Sequence, residues 1–576
     1  MAYYNINEFR KFATVTGSKL SDVVIPDSIS DENGKYKVTK IDNVAFRKGN
    51  IISVTIPNSV TSIGDSTFYG CSALTSAIIN CEIIGDYAFD DCRNLLSLTL
   101  GDETTSIGKC AFRRCNIASL RTGDGVTTIG LSAFANCTGL TSLEIGDNVT
   151  SIKSAAFFNC KSLSSIVVKD GNQVYDSRNN CNAIILTKEN ELVLGCENTV
   201  IPDEMTSIGE YAFDGCVNLS SISIPNGVTN IGYDAFGGCS GLSSITLPDH
   251  LVSIGDLAFG DCTGLKSIII PQNVEFIGFG AFSGCTALTS VTISSNVKEI
   301  GDGIFIDCDA LTSIVVEEGN GTYDSRNNCN AIIHSETGEL IAGCQNTVIP
   351  DGVKSIRGFA FEFLDGLSSI TIPDGVTSIG EYAFYDCEGL TSVDLPNSLT
   401  TIGEGAFQRC IGLSAIKIPH GVTYIGEFAF DSCSGVTSVI IPNSVTFIGW
   451  DAFLDCTELK DVYCEAEQLS ETEDGPGLFA EIQVFGLLWN ELPITLHVPE
   501  ASLDLYSTMD PWKYFKTIVP LTDDDPKSTG IKSLTDDGSN YPVGTYSIDG
   551  KRLQKVQRGL NIIRMKDGKT IKRIVK

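Results

Sequence analysis

The sequence predicts a mainly β solenoid built from turns of about 23 residues, and three observations predict it. A phenylalanine in the pattern AFxxC or a close variant recurs sixteen times, at Phe46, Phe68, Phe89, Phe112, Phe134, Phe157, Phe213, Phe236, Phe259, Phe282, Phe305, Phe361, Phe384, Phe407, Phe430 and Phe453. Successive spacings are 21 to 23 residues, apart from two of 56. Both long gaps contain the same eleven residues, YDSRNNCNAII, at 175–185 and again at 323–333. A fixed period of this length marks stacked repeats, because one unit cannot bury its own apolar face until a neighbour covers it.

The unit at 262–282, CTGLKSIIIPQNVEFIGFGAF, justifies each element in turn. LKSIII has apolar residues at its first, fourth and sixth places and is rich in β-branched side chains, which predicts a short strand. Pro271 stops that strand, because proline has no N–H to give a ladder. VEFIG predicts a second short extended piece, and its glycine is expected to turn the chain with positive φ. FGAFSGC is expected to carry Phe and Cys inward. Stacked units then bury one continuous core over 38–456, with neighbouring strands about 4.8 Å apart.

A gap of 56 against a period of 23 leaves an insertion of 33 residues. The insertions, at about 169–199 and 317–347, each read as strand, polar turn and strand. Their identity records the duplication of a five-turn block and does not require a shared active site. Cys181 and Cys196 bracket the first hairpin and Cys329 and Cys344 the second. Near-opposite placement at the hairpin base leaves two alternatives, a disulfide in an oxidising compartment or two packed free thiols. Fourteen further cysteines lie three residues after a repeat phenylalanine. One per turn is not zinc spacing and predicts a buried ladder of small side chains. Asp176, Asn179 and Asn180 lack the alternation of a calcium loop and predict an Asx-rich turn.

The ends differ from the middle. Residues 1–37 are expected to form an irregular N-terminal cap. Residues 457–521, with Trp512, Tyr514 and Phe515, are expected to cap the last apolar face, the alternative for Trp512 being a sugar-stacking surface. Residues 522–540 read as an acidic linker. The tail 541–576 holds ten Lys or Arg and two Asp, a charge of +8, against −31 for the whole chain. With Asp-Gly pairs at 549–550 and 567–568 it predicts a small basic β-module.

The acidic charge argues against nucleic acid as a partner. No apolar run is long enough for a membrane helix, and the first residues lack a secretory signal pattern. His250, His334, His420 and His497 are the four histidines, and no nucleophile elbow, phosphate loop or zinc motif accompanies them. Asp65, Asp86, Glu210, Asp256, Asp302, Glu381, Glu404 and Glu427 form one acid per turn after Ile-Gly, expected to be a solvated edge. No catalytic residue, metal or cofactor is expected.

The recurring LxxIxIPxxVxxIGxxAFxxC closely resembles the BspA-like leucine-rich repeat proteins of bacterial surfaces. The resemblance implies a leucine-rich-repeat solenoid and a secreted or surface-exposed adhesin that attaches to a host matrix protein, a glycoprotein or another cell. It also implies that strand positions between the apolar ones face a concave binding surface. The most varied of these gives the candidate ligand-binding residues Arg121, Glu144, Thr246, Thr292, Asp394, Lys417 and Tyr463. A Ser/Thr carpet that only closes β ladders is the bland alternative. The tail resembles the C-terminal sorting tails of type IX secretion cargo, which places the protein outside the cell. The missing signal pattern favours the alternative, a cytoplasmic scaffold. A glycan-active enzyme is the third and least supported reading.

Overall fold

A computed structural model describes residues 21–467 without a break, together with 2–7, 12–18, 471–472, 475–476, 492–509, 512–523, 525–526, 542–547, 552–553, 559–565 and 570–575. The fold is a mainly β solenoid with three parallel ladders along its turns, the long-strand ladder running in several separate sheets. Long strands pair in register, with Ser267 opposite Ser290 and Ser290 opposite Ser313. Short strands pair as Ser207, Asn230, Ser253, Phe276 and Glu299. A third ladder runs through the AF segment, where the N–H groups of Phe213, Phe236 and Phe259 donate to the carbonyls of Ala235, Ala258 and Ala281 at 2.7 to 2.9 Å.

Stacking explains the repeat residues. The phenylalanine rings lie almost parallel in columns, with centroids 4.7 to 5.5 Å apart from Phe46 to Phe157. Such offset stacking adds to the burial that each ring already contributes. The cysteine of one turn donates its thiol to the phenylalanine carbonyl of the turn before, as in Cys71 to Phe46 at 3.1 Å, Cys262 to Phe236 at 3.2 Å and Cys410 to Phe384 at 3.1 Å. Cysteine suits the slot because it is small, apolar and still a donor.

The glycine after each short strand does not supply the positive φ expected of it. It is there for close approach. A Cβ on Gly255 would stand 2.7 Å from the carbonyl carbon of Gly232 in the turn below. The left-handed residues instead flank the phenylalanine, two before and two after it, as at Leu257 and Asp261 or Tyr382 and Asp386. Such backbone costs about 1 kcal/mol or more on a side-chain-bearing residue. Ladder bonds from those same residues hold it, such as Leu257 N–H to Phe279 O at 2.8 Å.

The single continuous core is also corrected. Buried apolar residues form three clusters, and the insertions stand between them. Tyr175–Asp176, Ile184–Leu186 and Glu191–Leu194 make an antiparallel meander whose last strand pairs in parallel with Ser207–Ile208. Ile184, Leu194 and Cys196 face the first core, whereas Cys181, Ala183, Ile185 and Leu192 face the second. The second insertion repeats this, with Ile332, Ile341 and Cys344 behind it and Cys329, Ala331, Ile333 and Leu340 ahead. Each hairpin is therefore a septum buried on both faces.

The repeated eleven residues close the ladders that a septum interrupts. Ile152 N–H donates to the Tyr175 hydroxyl at 3.0 Å, and Ile300 N–H to the Tyr323 hydroxyl at 3.2 Å. Val168 and Val316 N–H donate to the hydroxyls of Ser177 and Ser325. Asn182 Oδ1 accepts from Ile166 N–H. Left-handed φ at Asn179, Asn180 and Asn182 explains the asparagines, which tolerate it. The Asx turn is present, since Asp176 Oδ1 accepts from Arg178 N–H and the guanidinium closes back on the same carboxylate.

The septum also explains why Cys181–Cys196 and Cys329–Cys344 are not bridged. All four are buried free thiols, and each pair is split between opposite faces. A register bulge in each hairpin accompanies this split.

The N-terminal cap is regular rather than irregular. Ala2–Asn7 and Phe12–Ser18 form a hairpin, and the second strand pairs with Gly34–Ile41 to head the short-strand ladder. At the other end Leu492–Val498 and Phe515–Pro520 continue the long-strand ladder. Trp512 is buried beside Tyr506 and Phe515, so it seals the core and offers no sugar-stacking surface. The described tail strands, Pro542–Ser547, Arg552–Leu553, Gly559–Met565 and Thr570–Val575, form one antiparallel sheet. Both expected Asp-Gly turns, and most of the expected linker, lie outside the described residues.

Gly195 and Gly343 end the septa, and a Cβ on either would fall on the ring of Phe213 or Phe361. Gly195→Ala and Gly343→Ala are each expected to lower stability by about 1–3 kcal/mol through overpacking. Urea denaturation checks this, and an unchanged midpoint would show that the ring yields freely.

Candidate functional site

The long-strand ladder sets the candidate face. In-register pairing puts Arg121 beside Glu144, Thr292 beside Ile269 and Val315, Asp394 beside Thr371, and Lys417 beside Ile440. Thr246 bridges to Ser223. The seven candidates therefore lie on one strand position, but the structure does not bring them all together, because the septa divide the turns into blocks. Arg121, Thr246, Asp394 and Lys417 are exposed, while Glu144, Thr292 and Tyr463 are partly covered.

The expected Ser/Thr carpet accounts for the position that opens the strand. Thr289 and Thr141 hydroxyls donate to the carbonyls of Lys266 and Ala118 in the preceding turn, both at 3.0 Å. The varied position is free of that duty in much of the solenoid. There Ile269 is 70% exposed, and Ile78, Val167 and Val315 are also exposed. These apolar residues alternate with polar ones along the column, so they are exposed singly and form no continuous apolar patch.

The first block carries the most polar part of this face. Arg121 donates to Glu144 at 2.8 Å, and Lys169 pairs with Asp124 at 2.6 Å. With Thr99 and Asp102 they line a groove of about 340 Å³. Each pair has one exposed and one partly covered member, so both remain solvent-screened and contribute little to stability. At the far end Tyr463 is covered by His497, which stacks on it at 4.3 Å and lies 3.1 Å from Asp461. Sequence reasoning named His497 among the four histidines but did not place it at this face. Its signal was the alternation in ITLHV, which sets the imidazole opposite Tyr463 once the cap strand is placed.

All eight acids of the row are exposed, as a solvated edge requires, and some of them also bond to the next turn. Asp65 and Asp86 accept the N–H of Asp86 and Lys109 in the next turn. His250 reaches the Asn226 carbonyl in the turn before its own. Among the described residues no group of three or more His, Cys, Asp or Glu is placed to hold a metal ion. No helix among them is long and apolar enough to cross a membrane.

Burial raises most thiols of the ladder, Cys285 to about 12 and Cys387 to about 12, so these stay protonated and unreactive, while a hydrogen bond with Cys92 lowers Cys71. A thiol reagent is expected to find almost none of the 21 cysteines in native protein and all of them after denaturation. Fewer than 21 after denaturation without reductant would reveal a bridge.

A second acidic cluster lies in the turns that follow the first septum. Burial, then the charge of Asp234, raises Asp214 to about 7, although Asn159 N–H bonds it at 2.6 Å. Burial and Asp261 raise Asp234 to about 6. Unfolded aspartate titrates near 3.9. The folded state therefore binds these protons more tightly, and the stability they add below about pH 4 is lost as pH rises through about 6 to 7. The urea midpoint is expected to fall between mildly acid and mildly alkaline buffer, and Asp214→Asn to flatten that fall. An equal slope in the variant would assign the pH dependence elsewhere.

The stacked ladders, the phenylalanine column and the exposed strand row define a leucine-rich-repeat solenoid. The chain belongs to the BspA-type leucine-rich-repeat family, whose model, a "BspA type Leucine rich repeat region (6 copies)", matches residues 14–83, 78–184, 194–326 and 340–460. A crystal structure of a leucine-rich repeat protein from Bacteroides ovatus is 25% identical over 81% of this chain and 93% of its own, with a TM-score of 0.36. A leucine-rich cell surface protein from Faecalibacterium prausnitzii is 25% identical over 82% and 96%, with a TM-score of 0.33. The pneumococcal vaccine antigen PcpA is 20% identical over 60% and 89%, with a TM-score of 0.41. No curated protein matches the chain.

Proposed function

We propose that this protein is a non-enzymatic, secreted or surface-attached binding protein that attaches its cell to a host matrix protein, a glycoprotein or another cell. The observation that carries this reading is the contrast between two sets of columns. Interior positions repeat Ile, Phe and Cys almost unchanged, whereas the exposed strand column runs through Thr, Arg, Glu, Val, Ile, Asp, Lys and Tyr. Packing requires the first set and leaves the second to a partner. Family membership and the sorting-like basic tail support an address outside the cell. Few Trp, Tyr or Arg anchors lie in the column, which favours a broad, weak contact strengthened by many copies.

Beads coated densely with the protein should bind immobilised matrix protein or glycoprotein, while monomer in solution binds weakly. Replacing Arg121 and Lys417 by Ala should reduce bead binding several-fold without moving the urea midpoint, since neither is buried. Staining of intact native cells should show the protein at their surface. Absence of staining until cells are lysed would defeat this reading. It would favour an internal scaffold, the alternative to which the 21 unpaired thiols lend some support.

A further inference from the structure

The duplication supplies an internal comparison. Each residue at the first septum has a counterpart 148 positions on at the second. At the second septum Arg357 fills the space between the septum and the turn that precedes it. Its guanidinium donates to the Ile300 carbonyl at 3.2 Å, pairs with Glu339 at 2.8 Å and lies 3.4 Å from Asp302. The counterpart of Arg357 at the first septum is Gly209. Beside Gly209, between Glu191 and Glu210, lies a pocket of about 290 Å³, and a Cβ on Gly209 would stand 2.7 Å from the Glu191 carboxylate.

The counterparts of all three Arg357 partners line that pocket. They are Ile152 for Ile300, Glu191 for Glu339 and Ser154 for Asp302. The loss of one carboxylate at Ser154 is made good by Glu210, which replaces Gly358, lines the pocket and accepts the Ser154 hydroxyl at 3.2 Å. Both sites thus carry two carboxylates, but only the second holds its cation. Tyr175 and Tyr211 add aromatic walls. Lys153 stands at the rim, exposed, and makes no ion pair among the described residues.

We infer that the pocket at the first septum receives a guanidinium group from outside the chain, in the place that Arg357 fills at the second. Glu191 and Glu210 would pair with it, and a planar fork of donors fits two carboxylates better than an ammonium does. Burial, then Glu189 and Glu210, raises Glu191, as befits a carboxylate that lacks its cation. The site is independent of the adhesion reading, because none of these residues lies on the exposed strand column.

Calorimetry on the full chain tests this with L-arginine amide, agmatine and L-lysine amide. One site of roughly millimolar affinity is expected for the guanidinium compounds, with lysine amide about tenfold weaker. Gly209→Arg should abolish the site, and Glu191→Gln should weaken it about tenfold. Arg357→Gly should raise the stoichiometry from one to two, which keeps the test open if Gly209→Arg fails to fold. Both sources of the group support the inference and are separated by a further arm. An arginine-bearing peptide binding more tightly than agmatine points to a partner protein, and the reverse to a small molecule. Equal binding of arginine and lysine amides that survives Gly209→Arg would overturn it, as would no binding. Binding that appears only in Lys153→Ala would also overturn it, by assigning the pocket to the chain's own lysine.

Discussion

Every feature of this protein depends on one constraint. A turn leaves three rows of backbone N–H and C=O groups open on each side, and only a turn following the same path can satisfy them. Register then dictates chemistry. The glycine column exists because backbones of neighbouring turns approach within van der Waals contact at that point. The cysteine column fits because the slot beside the phenylalanine carbonyl of the turn before is small and buried, and in most turns a thiol there donates to that carbonyl. Bulky residues accept left-handed backbone because the ladder bonds made there outweigh a local cost.

The septa show what happens when the path changes. An inserted hairpin cannot reproduce the turn below it, so its loop offers side-chain oxygens in place of the missing groups. Tyrosine reaches the short ladder, and serine and asparagine the long one. On its other side the hairpin ends in a strand that the next turn can follow in parallel. The eleven identical residues are therefore an adaptor between two kinds of edge. Their preservation in two copies follows from this role without any ligand.

Much of this was legible in the sequence. The period, the two strands per turn, the buried phenylalanine and cysteine and the hairpin form of the insertions all follow from side-chain pattern. The division into three cores was missed, although AIIL is a nearly unbroken apolar run of the kind found in strands covered on both faces. The roles of Tyr175 and Ser177 were not legible, because their partners lie 23 and 9 residues away and only the folded path brings them together. The glycine column misled because sequence shows a missing side chain but not whether torsion or crowding demands it. Of the candidate face, the alignment of Arg121 with Glu144 was legible from spacing. Its exposed isoleucines were not distinguishable from core until burial separated them, and His497 needed the cap in place.

A septum has one more consequence. The first core ends on the same surface on which the second core ends, and the second and third begin on matching surfaces as well. A block of five turns with its hairpin is thus a closed part with standard fittings. Recombination within the gene could add or delete such a part and leave no unmatched edge, so the length of the solenoid could change in steps while every contact stayed one that already exists.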